Sequence, residues 1–214
     1  MMLKRADIRI VLLLFVLIGG LPAWAQTEDA PAPNVDQAKV EQLTDLVVQT
    51  MPLDELARKA QETDPNWPMG KKADRVSAEQ LKCMKDQFST GNYREIKRQD
   101  AIDFATRYPD EMNDAVHVLQ DGGAEVFSAF FHSMMTSPDR EIDSRQVMGQ
   151  FDPKQVLLMV ALMGDDKYRH LRDLIGFGGN SILDGAGDGV KSSIAKLMLR
   201  AMSTCKIPMS VLLD

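Results

Sequence analysis

Apolar residues recur at helical spacing along the chain from residue 36 onwards. Val40, Leu43 and Val47 lie three and four positions apart, which places them on one face of a helix predicted over 36–49. Alternating runs of β-branched residues, the pattern that indicates half-buried strands, do not occur after residue 35. The pattern predicts an all-α fold: a single-domain multi-helix bundle with antiparallel helical hairpins over 36–214.

Helix boundaries are indicated by capping residues, prolines and glycines. Ser77 with Gln80 and Asp152 with Gln155 have the spacing of capping boxes, in which each side chain bonds the other residue's backbone N–H. Asn92 repeats the pattern with Glu95. Together these signals predict further helices over 53–61, 77–91, 92–108, 110–120, 124–135, 139–148, 152–163, 165–175 and 188–203. Residues 207–214 fit either a short strand or a packed tail.

The segment 151–180 combines a histidine, several carboxylates and a glycine cluster, so it could be read as an active site. Gly164 divides it, and Asp165 is placed to cap the helix that follows. Before that division, four apolar residues have the i, i+3, i+4, i+7 spacing of one helix face: Val156, Met159, Val160 and Met163. Because its polar residues have capping roles, we interpret the segment as an αα-hairpin.

The N-terminus has the three-part pattern of a secretory signal peptide. Three basic residues precede an unbroken apolar run over 10–18, which is about half the roughly 20 residues that a membrane-spanning helix needs. A small-x-small cleavage site follows. We predict a signal peptide over 1–25, cleaved between Ala25 and Gln26. The expected location is the periplasm or the exterior of a Gram-negative type cell, with no membrane anchor after cleavage.

Charge limits the classes of partner. The chain has 25 Lys and Arg residues and 31 Asp and Glu residues. Removal of 1–25 would leave 22 basic and 30 acidic residues, a net charge of −8. Nucleic acid and anionic lipid require a basic face, so neither is expected as a partner, whereas a basic protein surface is suitable. Residues 26–35 are polar and Pro-rich and are predicted to form a disordered lead-in.

Two cysteines, Cys83 and Cys205, are present. In an exported protein a disulfide is the expected state of such a pair, and two buried thiols are the alternative. The bond would close a long loop, for which chain-entropy arguments give roughly 4–5 kcal/mol of stabilisation. It would tie the C-terminus to the predicted helix that contains Cys83.

Candidate catalytic and metal-binding residues are scattered. His117, His132 and His170 fall on three predicted helices without the spacing of a zinc motif, and His132 is expected to be a half-buried core residue among phenylalanines. No metal site, cofactor or catalytic residue is therefore predicted. An envelope hydrolase that uses dispersed carboxylates remains an alternative, with the nominal candidates Glu111, Glu125 and Glu141.

Methionine is abundant, with 14 residues in the chain. The pairs Met159/Met163 and Met198/Met202 have i,i+4 spacing, and Met134 is adjacent to Met135. Because thioethers are soft ligands that select Cu(I), a periplasmic Cu(I)-binding protein is a second alternative. Methionine also fills irregular helical cores and adaptable binding grooves, which is the reading that the spacing favours.

These observations lead to an expected function without catalysis. The chain is predicted to be an exported protein-binding module of the bacterial envelope, either an adaptor or an immunity protein that neutralises a toxin. Its partner is expected to be a protein, with a basic surface. The predicted partner-binding face consists of Phe127, Phe131, Met134, Met159 and Met163, which would present an apolar groove. The oligomeric state is left open.

Two segments resemble the exported bacterial domain-of-unknown-function family 2059. Val40-Glu41-Gln42-Leu43 is similar to the Val-Glu-x-Leu start of the family's early helix. Residues 151–174, beginning Phe151-Asp152, are similar to its later pair of helices, although Leu162 to Asp166 stands where the family has an aromatic pair and a Ser-Pro-x-Gly-like turn. The resemblance covers about a third of the chain after the signal peptide. It implies a helical exported domain and no assigned chemistry.

Overall fold

A computed structural model describes residues 35–136, 148–177 and 188–213. The predicted signal peptide, its cleavage site between Ala25 and Gln26, and most of the predicted helix 139–148 lie outside these residues. Within them the chain forms helices and turns and no strand, which confirms the all-α prediction. No helix in this part of the chain has both the length and the apolar character needed to cross a membrane.

Ten α-helical segments are described, here numbered in chain order. They are α1 (Gln37–Gln49), α2 (Leu53–Thr63), α3 (Ala78–Gln87), α4 (Thr90–Arg107), α5 (Met112–Val118), α6 (Ala124–Thr136), α7 (Pro153–Gly164), α8 (Arg169–Ile175), α9 (Asp188–Thr204) and α10 (Ser210–Leu213). Short 3₁₀ segments lie at Gly70–Arg75, Pro109–Glu111 and Asp166–Tyr168, and a π-helical turn at Leu119–Gly123 joins α5 to α6.

Two of the three predicted capping boxes are present. The Ser77 hydroxyl accepts a hydrogen bond from the backbone N–H of Gln80, whose side chain accepts one from the Ser77 N–H in return. Asp152 and Gln155 make the equivalent pair at the start of α7. These side chains satisfy N–H groups that have no partner within the first helical turn.

Other boundaries differ from the prediction. Asn92 is not an N-cap: Ser89 caps α4, and its hydroxyl accepts from the Asn92 N–H. Gly91 therefore lies inside α4 rather than ending α3. The predicted helix 110–120 is shorter, and the chain passes through the π-helical turn into α6. The C-terminal residues form the helical turn α10, so the predicted strand alternative was wrong.

The core consists of two clusters of buried side chains. The first cluster joins α1, α4, α5, α6, α7 and α8, with Val40, Leu43, Val47, Phe104, Phe127, Leu162 and Leu171 among its members. The second joins α2, α3, α4 and α9, with Leu53, Met84, Phe88, Tyr93, Leu197, Met202 and Cys205 among its members. Because α4 supplies Tyr93 and Ile96 to the second cluster and Ala101 and Phe104 to the first, this helix connects the two.

The predicted Cys83–Cys205 disulfide is present. The bond joins α3 to the residue that follows α9, with the two Cα atoms 5.8 Å apart. Cys205 is buried in the second cluster, and Cys83 packs against it. The side chain of Gln80 also donates to the carbonyl oxygen of Lys206 at 3.0 Å, so the chain after α9 is held to α3 by two kinds of bond.

Gly122 takes a backbone conformation that other residues rarely adopt. Its φ is 122°, and a Cβ atom placed there would lie 2.6 Å from Cγ of Gln155 on α7. We expect Gly122→Ala to lower the free energy of unfolding by about 1–3 kcal/mol, because it combines backbone strain with this contact. Gly164→Ala is the matched control, since a Cβ there would meet nothing within 4 Å. Urea unfolding of both variants would test this, and equal stability would contradict it.

Candidate functional site

The phenylalanines of the predicted partner-binding face lie in the interior. Phe127 is 3% exposed and Phe131 is 8% exposed. Both rings pack against Phe177 after α8, with ring centroids 4.8 and 5.3 Å apart. The prediction that these two side chains form part of a surface groove is therefore corrected: on α6 they form the contact with Phe177. The side chain of Met134 lies outside the described residues.

Among the described residues, the two most exposed large apolar side chains lie instead on α7. Leu157 is 68% exposed and Val160 is 56% exposed, whereas Leu162 is the one buried residue of this helix. Met159 and Met163, both predicted for the partner face, are half-buried and pack against the first cluster. Leu157 and Val160 thus replace the phenylalanines as the exposed apolar residues, and we call these two side chains the α7 face.

Sequence reasoning missed the α7 face because the helix is apolar on all sides. The sequence PKQVLLMVALMG contains two overlapping apolar stripes, and helical spacing alone does not show which residues of the stripe Val156, Met159, Val160 and Met163 are exposed. In the structure, α7 is oriented so that Leu162, Leu158 and Met159 pack against the first cluster. The signal was nonetheless present, since a helix without a polar face must be buried on all sides or covered by a partner.

Acidic groups outnumber basic ones around α7. The Lys154 ammonium lies 3.8 Å from Asp121, and Lys167 pairs with Asp114 at 2.7 Å, so these cations are already matched by carboxylates. The Arg172 guanidinium donates to the carbonyl oxygens of Leu162 and Asp165 at the end of the helix. Six acidic residues lie at the two ends of α7 or are bonded to residues there. They are Asp114, Asp121, Glu125, Asp152, Asp165 and Asp166.

A second feature is a cleft between α4, α8 and α9, with a volume of about 310 Å³. Lys97 lies in its wall and is 2% exposed. Its ammonium donates to the Leu174 carbonyl oxygen at 2.8 Å, near the end of α8, and lies 3.4 Å from Asp100. Asp100 also accepts from Lys196 of α9 at 2.6 Å. Burial lowers the pKa of Lys97, and the Asp100 charge acts against that change.

The other side of this cleft is formed by stacked rings. The Tyr108 and His170 rings are parallel, with centroids 3.8 Å apart and planes within 8°. Nδ1 of His170 lies 2.9 Å from Oε1 of Glu111, and Nε2 lies 3.2 Å from the guanidinium of Arg169. Since Arg169 can only donate, this contact is a hydrogen bond when Nε2 accepts, which leaves Nδ1 to donate to Glu111. The two bonds hold the ring against Tyr108.

The histidines do not converge on a metal site. His117 lies 3.5 Å from Asp121, His132 lies 3.1 Å from Glu55, and His170 bonds to Glu111 as described. His132 is exposed, so the prediction of a core position was wrong. Across the described part of the chain, no group of three His, Cys, Asp or Glu residues has the geometry to hold a metal ion.

Carboxyl groups with shifted pKa values are stabilised in the charged form. The hydrogen bond from Arg94, followed by that from Arg98, lowers the pKa of Glu41. The hydrogen bond with His132 lowers that of Glu55, and the Ser77 hydroxyl lowers that of Glu79. A general acid at neutral pH needs the opposite change. Of the nominal hydrolase candidates, Glu111 bonds to His170 and Glu125 accepts from Gln155, while Glu141 lies outside the described residues.

The methionine pairs face inward. Met202 is buried in the second cluster, with Met198 packed against that cluster. Met159 and Met163 pack against the first cluster. A Cu(I) site of the kind considered above would place two thioethers together on an accessible face. The described pairs instead contribute to packing.

Comparisons with protein-family models, with curated proteins and with solved structures found no match to this chain.

Proposed function

We propose that this chain is an exported protein-binding module of the bacterial envelope, and that it binds its partner through the α7 face. The exposure of Leu157 and Val160 on a helix with one buried residue is the observation that carries the proposal. Because both side chains remain more than half exposed, they lack a large part of the roughly 1.5–3 kcal/mol of stabilisation that full burial of each would give. A partner that covers them recovers this free energy.

Charge favours a basic protein segment as the occupant. The carboxylates around α7 outnumber the cations, and Lys154 and Lys167 are already paired with Asp121 and Asp114. A second copy of the same face would bring two acidic rims together, which disfavours self-association. The proposed partner therefore presents apolar side chains flanked by Lys or Arg. A helix laid along α7 and an irregular loop both satisfy this chemistry.

Export supports this function and rests on the signal-peptide pattern of residues 1–25 together with the disulfide. An adaptor and an immunity protein that neutralises a basic toxin are the two forms of the proposal. The relation to the domain-of-unknown-function family 2059 belongs to the same proposal, because it implies an exported helical domain. The envelope hydrolase and the Cu(I)-binding protein are not favoured by any contact described above.

The test is affinity capture with a variant of the α7 face. Oxidised protein beginning at Gln26 would be used as bait against envelope and secreted extracts of its host, in parallel with Leu157→Gln/Val160→Gln. We expect one stoichiometric basic partner for the parent protein and at least about tenfold weaker binding for the double variant, since apolar anchors dominate interface energy. Rising salt should slow association.

The control is Leu199→Gln on α9, which also changes an exposed leucine. It should capture the partner as well as the parent protein does. A partner that binds all three proteins equally would rule out the α7 face as the binding site. Sedimentation velocity of the bait alone provides the second check, because a dimer dispersed by the double variant would show that a second copy occupies this face.

A further inference from the structure

The cleft between α4, α8 and α9 contains charges that the proposed function does not use. Its lining includes three basic side chains and three acidic ones: Lys97, Arg107, Lys196, Asp100, Asp103 and Asp173. Because the numbers of positive and negative charges are equal, the cleft does not attract anions or cations by its net charge. A ligand can bind only to those groups that have no partner within the protein.

The inner part of the cleft is internally satisfied. Lys97 donates to the Leu174 carbonyl oxygen, and Asp100 lies between Lys97 and Lys196. These bonds tie α4 to the end of α8 and to α9. A ligand would have to break them to bind there, so this part of the cleft is structural.

The outer part is different. Arg107 and Asp173 are exposed, and neither side chain makes a hydrogen bond or an ion pair with any residue in the described ranges. The Arg107 guanidinium offers five N–H donors in a fixed plane, and Asp173 offers two carboxylate oxygens as acceptors. The stacked rings of Tyr108 and His170 lie in the same wall, and buried Phe104 and Leu174 add apolar surface.

We propose that this cleft binds a small zwitterion that carries a free carboxylate and a free ammonium group, such as an amino acid or a dipeptide. Arg107 would bind the carboxylate, for which guanidinium geometry allows two parallel hydrogen bonds. Asp173 would bind the ammonium group. The side chain of the ligand would contact the Tyr108–His170 stack. This site is independent of the α7 face.

Size and charge both fit this class of ligand. The cleft volume of about 310 Å³ lies at the lower end of the range for small-molecule sites, roughly 300–1,000 Å³. A simple anion would meet Asp103 and Asp173, and a simple cation would meet Arg107 and Lys196, so each would be repelled by part of the lining. A ligand with both charges meets complementary groups, which is the basis of selectivity here.

The experiment is a titration of the oxidised protein, produced by secretion from the full chain, followed by isothermal calorimetry and by amide NMR shifts. The probes are alanine, Ala-Ala, N-acetyl-Ala-Ala and Ala-Ala amide. We expect alanine or Ala-Ala to bind, and the relative affinity of these two to identify the ligand size. Removal of either charge from Ala-Ala should weaken its binding at least about tenfold, because one charge-assisted contact is lost.

Two variants assign the contacts. Arg107→Gln should bind Ala-Ala no better than the parent protein binds Ala-Ala amide, and Asp173→Asn should remove the preference for a free amino group. Arg200→Gln and Asp74→Asn change exposed charges outside the cleft and should leave binding unchanged. Circular dichroism would confirm that all four variants are folded.

Three results would overturn the proposal. The first is no binding of any probe at millimolar concentration. The second is equal binding of the blocked and free dipeptides, which would indicate nonspecific contact with the cleft. The third is unchanged binding in both cleft variants, which would place the ligand elsewhere on the protein.

Discussion

Replacing both cysteines, in the variant Cys83→Ser/Cys205→Ser, is expected to lower the free energy of unfolding by roughly 2–5 kcal/mol. The bond links residues 122 positions apart, and a loop of that length restricts the unfolded chain strongly. Cys205 also lies within the second cluster, so its replacement by a hydroxyl adds a smaller packing loss. Both effects act in the same direction.

Urea unfolding, followed by circular dichroism, would measure this loss. The parent protein with a thiol reductant is the control, since it removes the bond without changing the side-chain volume. The two should lose similar free energy, and the difference between them reports the effect of serine in the core. A double variant within about 1 kcal/mol of the oxidised parent would show that the disulfide does not stabilise the domain, contrary to the chain-entropy argument.

Lys97→Ala is expected to destabilise the protein by about 2–4 kcal/mol. The substitution leaves the Leu174 carbonyl oxygen without its side-chain donor, removes one of the two cations bonded to Asp100, and opens a cavity beside Tyr93. Asp100 keeps Lys196, which limits the loss. Lys97→Met preserves most of the volume and avoids burying a charge, so we expect it to cost about half as much.

The pH dependence separates the charge of Lys97 from its packing. Burial places its folded-state pKa below the ordinary value of 10.5, so the unfolded chain binds more protons as the pH approaches 10.5. Stability contributed by this residue therefore rises with pH in that window. The difference in unfolding free energy between the parent and Lys97→Met should therefore shift in favour of the parent as the pH rises from neutral toward 10.

Working below pH 10 also keeps Tyr93 out of the comparison. Burial raises the pKa of Tyr93, and this favours the unfolded state only above its ordinary value of 10.0. If the difference in unfolding free energy between the parent and Lys97→Met stays constant over this pH range, Lys97 has the same proton affinity in the folded and unfolded states. Equal stability of Lys97→Ala and the parent would contradict the structural role of the ammonium group.

Local signals in the sequence predict most of the helices but not all of their ends. The pairs Ser77–Gln80 and Asp152–Gln155 were identified because a capping box involves residues only three positions apart. The Asn92 prediction was wrong because Ser89 competes for the same helix start. Phe88, which ends α3, packs edge-on against Trp67 with centroids 4.8 Å apart, and that distant contact has no local signature.

The candidate sites were harder to predict, for two physical reasons. On α7 the apolar pattern identifies a helix but leaves its rotation undetermined, so it does not show that Val160 is exposed while Met159 and Met163 pack against the first cluster. In the cleft, Arg107 and Asp173 line the same cavity only because α4 packs beside α8, and neither residue belongs to a motif. The disulfide could be predicted because only two cysteines are available to pair.

Helix α4 has a consequence for how the domain unfolds. Its Tyr93 and Ile96 belong to one hydrophobic cluster and its Ala101 and Phe104 to the other, with Lys97 between them. Disrupting either cluster removes the burial of half of this helix, so partial opening is costly and the two clusters are expected to melt in a single cooperative transition. The Cys83–Cys205 disulfide lies in the second cluster, and through this shared transition it also stabilises the helices of the first cluster.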